Sequence, residues 1–183
     1  GRRRLTWRSG PQESVVREDS LPPWWSFTPS LFLSGGGWGA YAGEVGAALR
    51  GAASDADDVA IKARELVAGK ETEEEKIRAI RDHVARFVRP AGPGLPELPL
   101  TSVASADVTL AEGYGNTTDR AVVLHAMLAA AGFAPELVLV SSGGSRVESL
   151  RRPFRNCPQR GFYDAVLVRL RTGQGDVYRN DTD

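Results

Sequence analysis

Between Thr72 and Val88 the chain reads TEEEKIRAIRDHVARFV, and its apolar residues Ile77, Ile80, Val84 and Val88 form one stripe of a 3.6-residue repeat. Thr72 and Glu75 have the spacing of a capping box, so the pattern predicts an amphipathic helix over this segment. The preceding segment, SDADDVAIKARELVAG, predicts another helix, with Ser54 as its cap, acids in its first turn and Gly69 at its end. Before that, YAGEVGAALRGAAS is a shorter helix candidate weakened by its glycines. After Val88, RPAGPGLPELPLTSVA predicts a proline-rich surface loop, followed by a short helical turn over Ala106–Glu112. EGYGNTTDRAVVLHAMLAAAG (Glu112–Gly132) then reads as a tight turn opening into a helix. Its apolar residues Ala121–Leu124 and Ala126–Leu128 go round every face, which predicts a central, buried helix closed by Gly132.

Beyond Gly132 the period changes from 3.6 to 2. APELVLVSS, YDAVLVRL and DVYRN are short β-type runs, and TGQG is a turn between the last two. Helices followed by strands predict an α+β fold, with a small antiparallel sheet packed on the central helix. The first 38 residues have no such period. SLPPWWSFTPSLFLSGGGW mixes prolines, tryptophans and a glycine run, and predicts an extended arm that docks its aromatics on a neighbour.

Composition narrows the function. The 183 residues carry 23 basic and 23 acidic side chains, and this balance argues against a nucleic-acid binder. No apolar run approaches the ~18 residues of a membrane span, and the basic start GRRRLTWRSGPQE is not followed by the apolar core of a signal peptide. It reads as a cut inside a longer protein. One cysteine, Cys157, excludes an intramolecular disulfide and a cysteine zinc cage, and two histidines, His83 and His125, supply a metal site poorly. No metal or other cofactor is expected.

With these elements in place, the succession YGNTTDRAVVLHAMLAAAGFAPELVLVSS, loop, FYDAVLVRL and VYRNDTD resembles a bacterial transglutaminase-like domain of the papain-like superfamily, over roughly Ala52–Asp183. The core would occupy residues 39–183. The arm of residues 1–38, with Glu18, Pro22, Pro29 and Trp38, looks like the tail of the β-rich domain that often precedes such domains in secreted bacterial proteins. In that family the helix mouth reads approximately Tyr-Gly-Asp-Cys-Lys-Asp-Lys-Ala. Here it is Tyr114 to Ala121, and the nucleophilic cysteine falls on Thr117. The family's Phe-Asn-His-Ala strand is Phe162 to Ala165, so the histidine falls on Asp164. Its Leu-Asp-Pro-Thr-Asp segment is Arg179 to Asp183, so the orienting aspartate falls on Asn180. The resemblance implies the fold, and an extracytoplasmic setting with it. The three substitutions imply a degenerate site.

The chemistry agrees with degeneracy. A papain-like site needs a thiolate formed by a neighbouring imidazole at a helix N-terminus. A threonine hydroxyl is far less acidic than a thiol, and a carboxylate of ordinary pKa ~3.9 is a poor base for it. Neither histidine repairs the site. His125 lies eight residues along the helix, ~12 Å from Thr117, and reads as a core or boundary side chain. His83 reads as solvent-facing. Asn116, Thr117 and Thr118 are all suited to capping the helix. Cys157 reads as an incidental loop thiol. The loop before Asp164 carries Arg146, Arg151, Arg152, Arg155 and Arg160 against Glu148 alone. A guanidinium cluster of that kind could hold a carboxylate, a phosphate or an acidic glycan.

The expectation is therefore a catalytically inactive transglutaminase-like domain that binds or scaffolds, with a protein, a peptide or an anionic glycan as partner. The alternative is a working hydrolase or acyltransferase of the same superfamily with a non-standard site.

Overall fold

The structure, a computed structural model, describes residues 4, 6–12, 14, 16, 18, 19, 21–141, 152–155, 157–173 and 175–179. The chain divides into two units, 1–31 and 32–183, and the division falls inside the arm expected over residues 1–38. In the first unit a single 3-10 turn forms at Trp24–Ser26. The Thr28 hydroxyl donates to the Trp24 carbonyl at 2.7 Å, and the Trp24 and Trp25 rings meet edge-on at 5.9 Å. Trp7, Trp24 and Phe27 are exposed.

The second unit opens with α1 (Trp38–Ser54), α2 (Asp57–Val67) and α3 (Glu73–Phe87). Helix α3 forms as its sequence dictates. Glu75 N–H donates to Thr72 Oγ1 at 3.2 Å, Thr72 N–H donates to Glu75 Oε2 at 3.1 Å, and Ile77, Ile80 and Val84 are buried. His83 is half-buried, its ring tilted against Phe87 with centroids 4.6 Å apart, rather than solvent-facing.

Helix α2 differs from expectation at its start. Ser54 is the last residue of α1 and its hydroxyl donates to Gly51 O at 2.8 Å, so it cannot cap the next helix. The carboxylate of Asp107 does this instead, accepting from Asp58 N–H at 3.1 Å and Val59 N–H at 2.9 Å. Asp107 lies in α4 (Ala106–Glu112), so the cap comes from a helix packed against α2 rather than from the preceding residue. Gly69 ends α2 with φ +73°, as its position predicts. The proline-rich connection is less superficial than expected. It forms 3-10 turns at Leu95–Glu97 and Leu100–Ser102, and Leu95 is buried in the core.

Helix α5 (Thr117–Ala130) is the centre of the unit. Residues Thr118–Leu124 and Ala126–Leu128 are buried, and α1, α2, α3 and α4 pack around it. The three-stranded antiparallel sheet closes the remaining side. Its strands β3 (Glu136–Val140), β4 (Ala165–Thr172) and β5 (Gly175–Arg179) lie in that order, with Val138 opposite Leu167 and Leu170 opposite Val177. In β4 the alternation of period 2 buries Val166, Val168 and Leu170 in the core shared with α5. On the other face Arg169 pairs with Glu136 and, at 3.7 Å, with Asp176. A central buried helix on a small antiparallel sheet is the α+β arrangement expected from the sequence.

Candidate functional site

The mouth of α5 is built from backbone constraints. Gly113 ends α4 at φ +68°, a left-handed conformation in which glycine carries no Cβ penalty. The chain then forms a two-residue parallel ladder, β2 (Tyr114–Gly115) on β1 (Arg89–Pro90), with Arg89 N–H donating to Gly113 O at 2.9 Å and Ala91 N–H to Gly115 O at 2.8 Å. A Cβ at Gly115 would stand 2.9 Å from Thr109 Cγ2 and 3.0 Å from the Cβ of Asp119, so the turn packs too tightly on α4 and α5 for any side chain there. The ladder and this packing fix the turn against the ends of α3 and α4.

Asn116 caps the helix. Its Oδ1 accepts from Thr118 N–H at 2.8 Å and Asp119 N–H at 3.0 Å. Asp119 answers, with Oδ2 accepting from Asn116 N–H at 3.2 Å and Oδ1 from Ala104 N–H at 3.0 Å. Burial pushes the Asp119 carboxyl above its ordinary range, and the Ala104 and Asn116 N–H groups oppose that shift in part. The asparagine–aspartate spacing at 116 and 119 is a capping-box variant legible in the sequence. The sequence reading had spread the cap over Asn116, Thr117 and Thr118, and the structure assigns it to Asn116 alone. The hydroxyl of Thr118 is buried with no hydrogen-bond partner among the described residues.

Thr117 is the first residue of α5 and is exposed. No described side chain hydrogen-bonds its hydroxyl. Asp164 stands one residue ahead of β4, with its N–H donating to Val140 O at 3.1 Å. Helix α5, which Thr117 opens, and β4, which Asp164 precedes, pack on each other. Asn180 follows β5 and lies outside the described residues.

The segment leading to Asp164 is held by an aromatic cluster that the sequence did not reveal. Phe154 stacks on Phe162 at 4.0 Å, Phe32 meets Phe154 at 5.0 Å, and Tyr163 meets Trp38 edge-on at 5.2 Å. The Trp38 indole N–H is shared between the Phe154 and Arg155 carbonyls, at 2.9 Å each. Apart from the Phe154–Phe162 stack, these contacts join residues more than a hundred positions apart, which no local pattern encodes.

Of the arginine loop, Arg152 and Arg155 are exposed, whereas Arg151, Arg146 and Glu148 lie outside the described residues. Arg160 turns inward, and its Nη2 donates to Leu95 O at 2.7 Å. It also lies close enough to Tyr41 to oppose the upward push that burial gives that phenol. Cys157 is a free, half-buried thiol that accepts a weak hydrogen bond from Gln159 Nε2 at 3.5 Å. Among the described residues no cluster of three or more His, Cys, Asp or Glu side chains has the geometry of a metal site. No described helix is long and apolar enough to cross a membrane.

Comparison with known proteins places the fold. A candidate protease from Parabacteroides distasonis superposes with a TM-score of 0.59 at 21% identity, over 73% of this chain and 25% of its own. The periplasmic domain of TgpA from Pseudomonas aeruginosa gives a TM-score of 0.48 at 18% identity, over 69% of this chain and 42% of its own. Its ethylmercury-bound form gives the same score and identity over 68% and 43%. The chain thus spans a quarter of the length of the first protein and under half of the second. No family model matches the sequence, and no curated protein does.

Proposed function

We propose that this chain is a catalytically degenerate transglutaminase-like domain that binds or scaffolds within a larger extracytoplasmic bacterial protein. One observation carries the reading. The position that matches the family's nucleophile is Thr117, exposed at the helix mouth with no base hydrogen-bonded to its hydroxyl among the described residues, and the matching base position is Asp164. A hydroxyl without a hydrogen-bonded base is a poor nucleophile near neutral pH. The helix mouth around it is nonetheless fully built, with its cap, its glycine and its ladder. That pattern fits a scaffold kept after the chemistry was lost. The extracytoplasmic setting, and the arm of residues 1–38 as the tail of a preceding β-rich domain, rest on the resemblance.

The test is a reversion series assayed for acyl transfer and hydrolysis on a panel of peptides and amides. Thr117→Cys alone supplies a thiol without an imidazole, and a neighbouring Asp164 carboxylate would disfavour the thiolate. Asp164→His alone supplies a base with nothing to activate. The parts of a triad act as a unit, so activity is expected, if at all, only in the triple variant Thr117→Cys, Asp164→His, Asn180→Asp. Turnover by the unmodified chain would instead support the working-enzyme reading.

For the partner we propose a protein, a peptide or an anionic glycan, with the exposed Arg152 and Arg155 and the neighbouring Arg151 as the anion-binding part of the loop. Arg160, bonded to Leu95 O, contributes through the loop's position. Binding of a heparin-derived oligosaccharide is expected to weaken steeply between low and physiological salt, because exposed charges are screened over ~8–10 Å. Arg151→Ala, Arg152→Ala and Arg155→Ala together should abolish it. Indifference to salt and to the triple change would assign the loop to plain solvation.

A further inference from the structure

We propose that the outer edge of β3 binds an extended acidic peptide, which joins the sheet as a fourth strand in the groove between β3 and α1. This gives the binding role proposed above a surface, and it rests on that role for its purpose.

The first observation is an unprotected edge. Strand β3 pairs with β4 on one side only, and the backbone groups on its other side have no partner among the described residues. Exposed edges in natural proteins are usually blunted by a lysine, a proline or an inward charge. Pro135 and the charged Glu136 stand at the start of the strand, and Leu137, Val138, Leu139 and Val140 after them carry none of these. All four are half-buried, in contrast to the alternating burial of β4.

The second observation is a groove along this edge. A cavity of about 520 Å³ lies between α1 and β3, lined on the helix side by Ala42, Gly46 and Leu49 and on the strand side by Leu137–Leu139. The small residues Ala42 and Gly46 set the helix wall back from the strand. A free backbone edge facing apolar walls is recognised by another strand, because only an extended chain presents N–H and C=O groups at the matching spacing.

Charge selects among strands. Glu136, at the start of β3, is already matched by Arg169 and, at 3.3 Å, by Arg171. Arg50 lines the other wall with no ion pair among the described residues, and it is exposed. Its guanidinium lies over Gly46, where an added Cβ would come within 2.8 Å of Nη1. The uncompensated charge of the groove is therefore positive, and it fits an acidic side chain or a terminal carboxylate on the incoming strand. A second copy of this chain fits less well, because its own β3 stands beside its own α1.

The probe is a fluorescein-labelled octapeptide that alternates valine and threonine and ends in glutamate, with a lysine-ended counterpart. Binding is read by anisotropy on the whole chain, and amide hydrogen exchange reports on β3. The glutamate peptide should bind, slow exchange along Leu137–Val140, and outcompete the lysine peptide by about tenfold. Gly46→Leu fills the groove and displaces only the flexible end of Arg50, so it should weaken binding tenfold or more while the circular dichroism is kept. Arg50→Glu, at an exposed position, should reverse the preference between the two peptides. Absence of binding up to millimolar peptide would overturn the proposal, as would binding that ignores both variants. A concentration-dependent dimer that Gly46→Leu dissociates would overturn it in favour of a second copy. Cleavage of the peptide in the same samples would count against the inactive-domain reading and leave the groove standing, so the two failures are distinguishable.

Discussion

His125 shows how burial on the central helix becomes a pH dependence. Burial lowers its pKa below the ordinary 6.5, with a hydrogen bond to the Pro135 carbonyl opposing in part. His83 is lowered as well, first by burial and then by Lys62. A histidine whose pKa is depressed on folding favours the folded state in its neutral form. Its contribution is present above the unfolded value and is lost as pH falls through the folded value. The thermal midpoint should therefore drop between pH 7.5 and pH 5.5. His125→Gln should flatten that slope, and adding His83→Gln should flatten it further. A slope unchanged in the double variant would place the pH dependence elsewhere. At this scale the sequence was legible where a residue acts on its near neighbours, as in the Thr72–Glu75 box. It was ambiguous where three adjacent side chains all suited one role. Asn116, Thr117 and Thr118 could each cap a helix, and only the path of the turn at Gly115 decides which oxygen reaches the free N–H groups.

Elements were legible where their apolar pattern has one reading. Helix α5 is apolar on every face and could only be central, and β4 alternates and could only be half-buried. Helix α2 was found, but its beginning was not, because its first amides are bonded by Asp107, 48 and 49 residues further along the chain. Sequence reasoning looks for a cap in the preceding residues and chose Ser54, which belongs to α1. Asp107→Ala should cost about 1 kcal/mol, the usual effect of a lost cap. It should also speed amide exchange in the first turn of α2 at Asp58 and Val59, with the rest of the helix less affected. Uniform acceleration over the whole chain would mean that Asp107 supports the fold globally rather than this helix start. The proline-rich connection was misread for a related reason. Its prolines indicate irregular backbone, but they carry no signal that Leu95 reaches the core or that its carbonyl receives Arg160.

Across the whole molecule, the fold could be read from the order of periods, helices before strands. The candidate site could be read only through three short motifs that resemble those of one family, with other residues at the positions of its triad. The structure supplies what the motifs lack, a helix mouth held by a ladder, a glycine that admits no side chain and a reciprocal Asn116–Asp119 cap, with Thr117 exposed upon it. Among the described residues no side chain hydrogen-bonds the Thr117 hydroxyl. The most direct test of the account is therefore the turnover of the unmodified chain on peptide and amide substrates near neutral pH, with Thr117→Ala alongside. The account predicts no turnover above buffer in either protein. Turnover by the unmodified chain that disappears in Thr117→Ala would contradict it and make Thr117 a nucleophile.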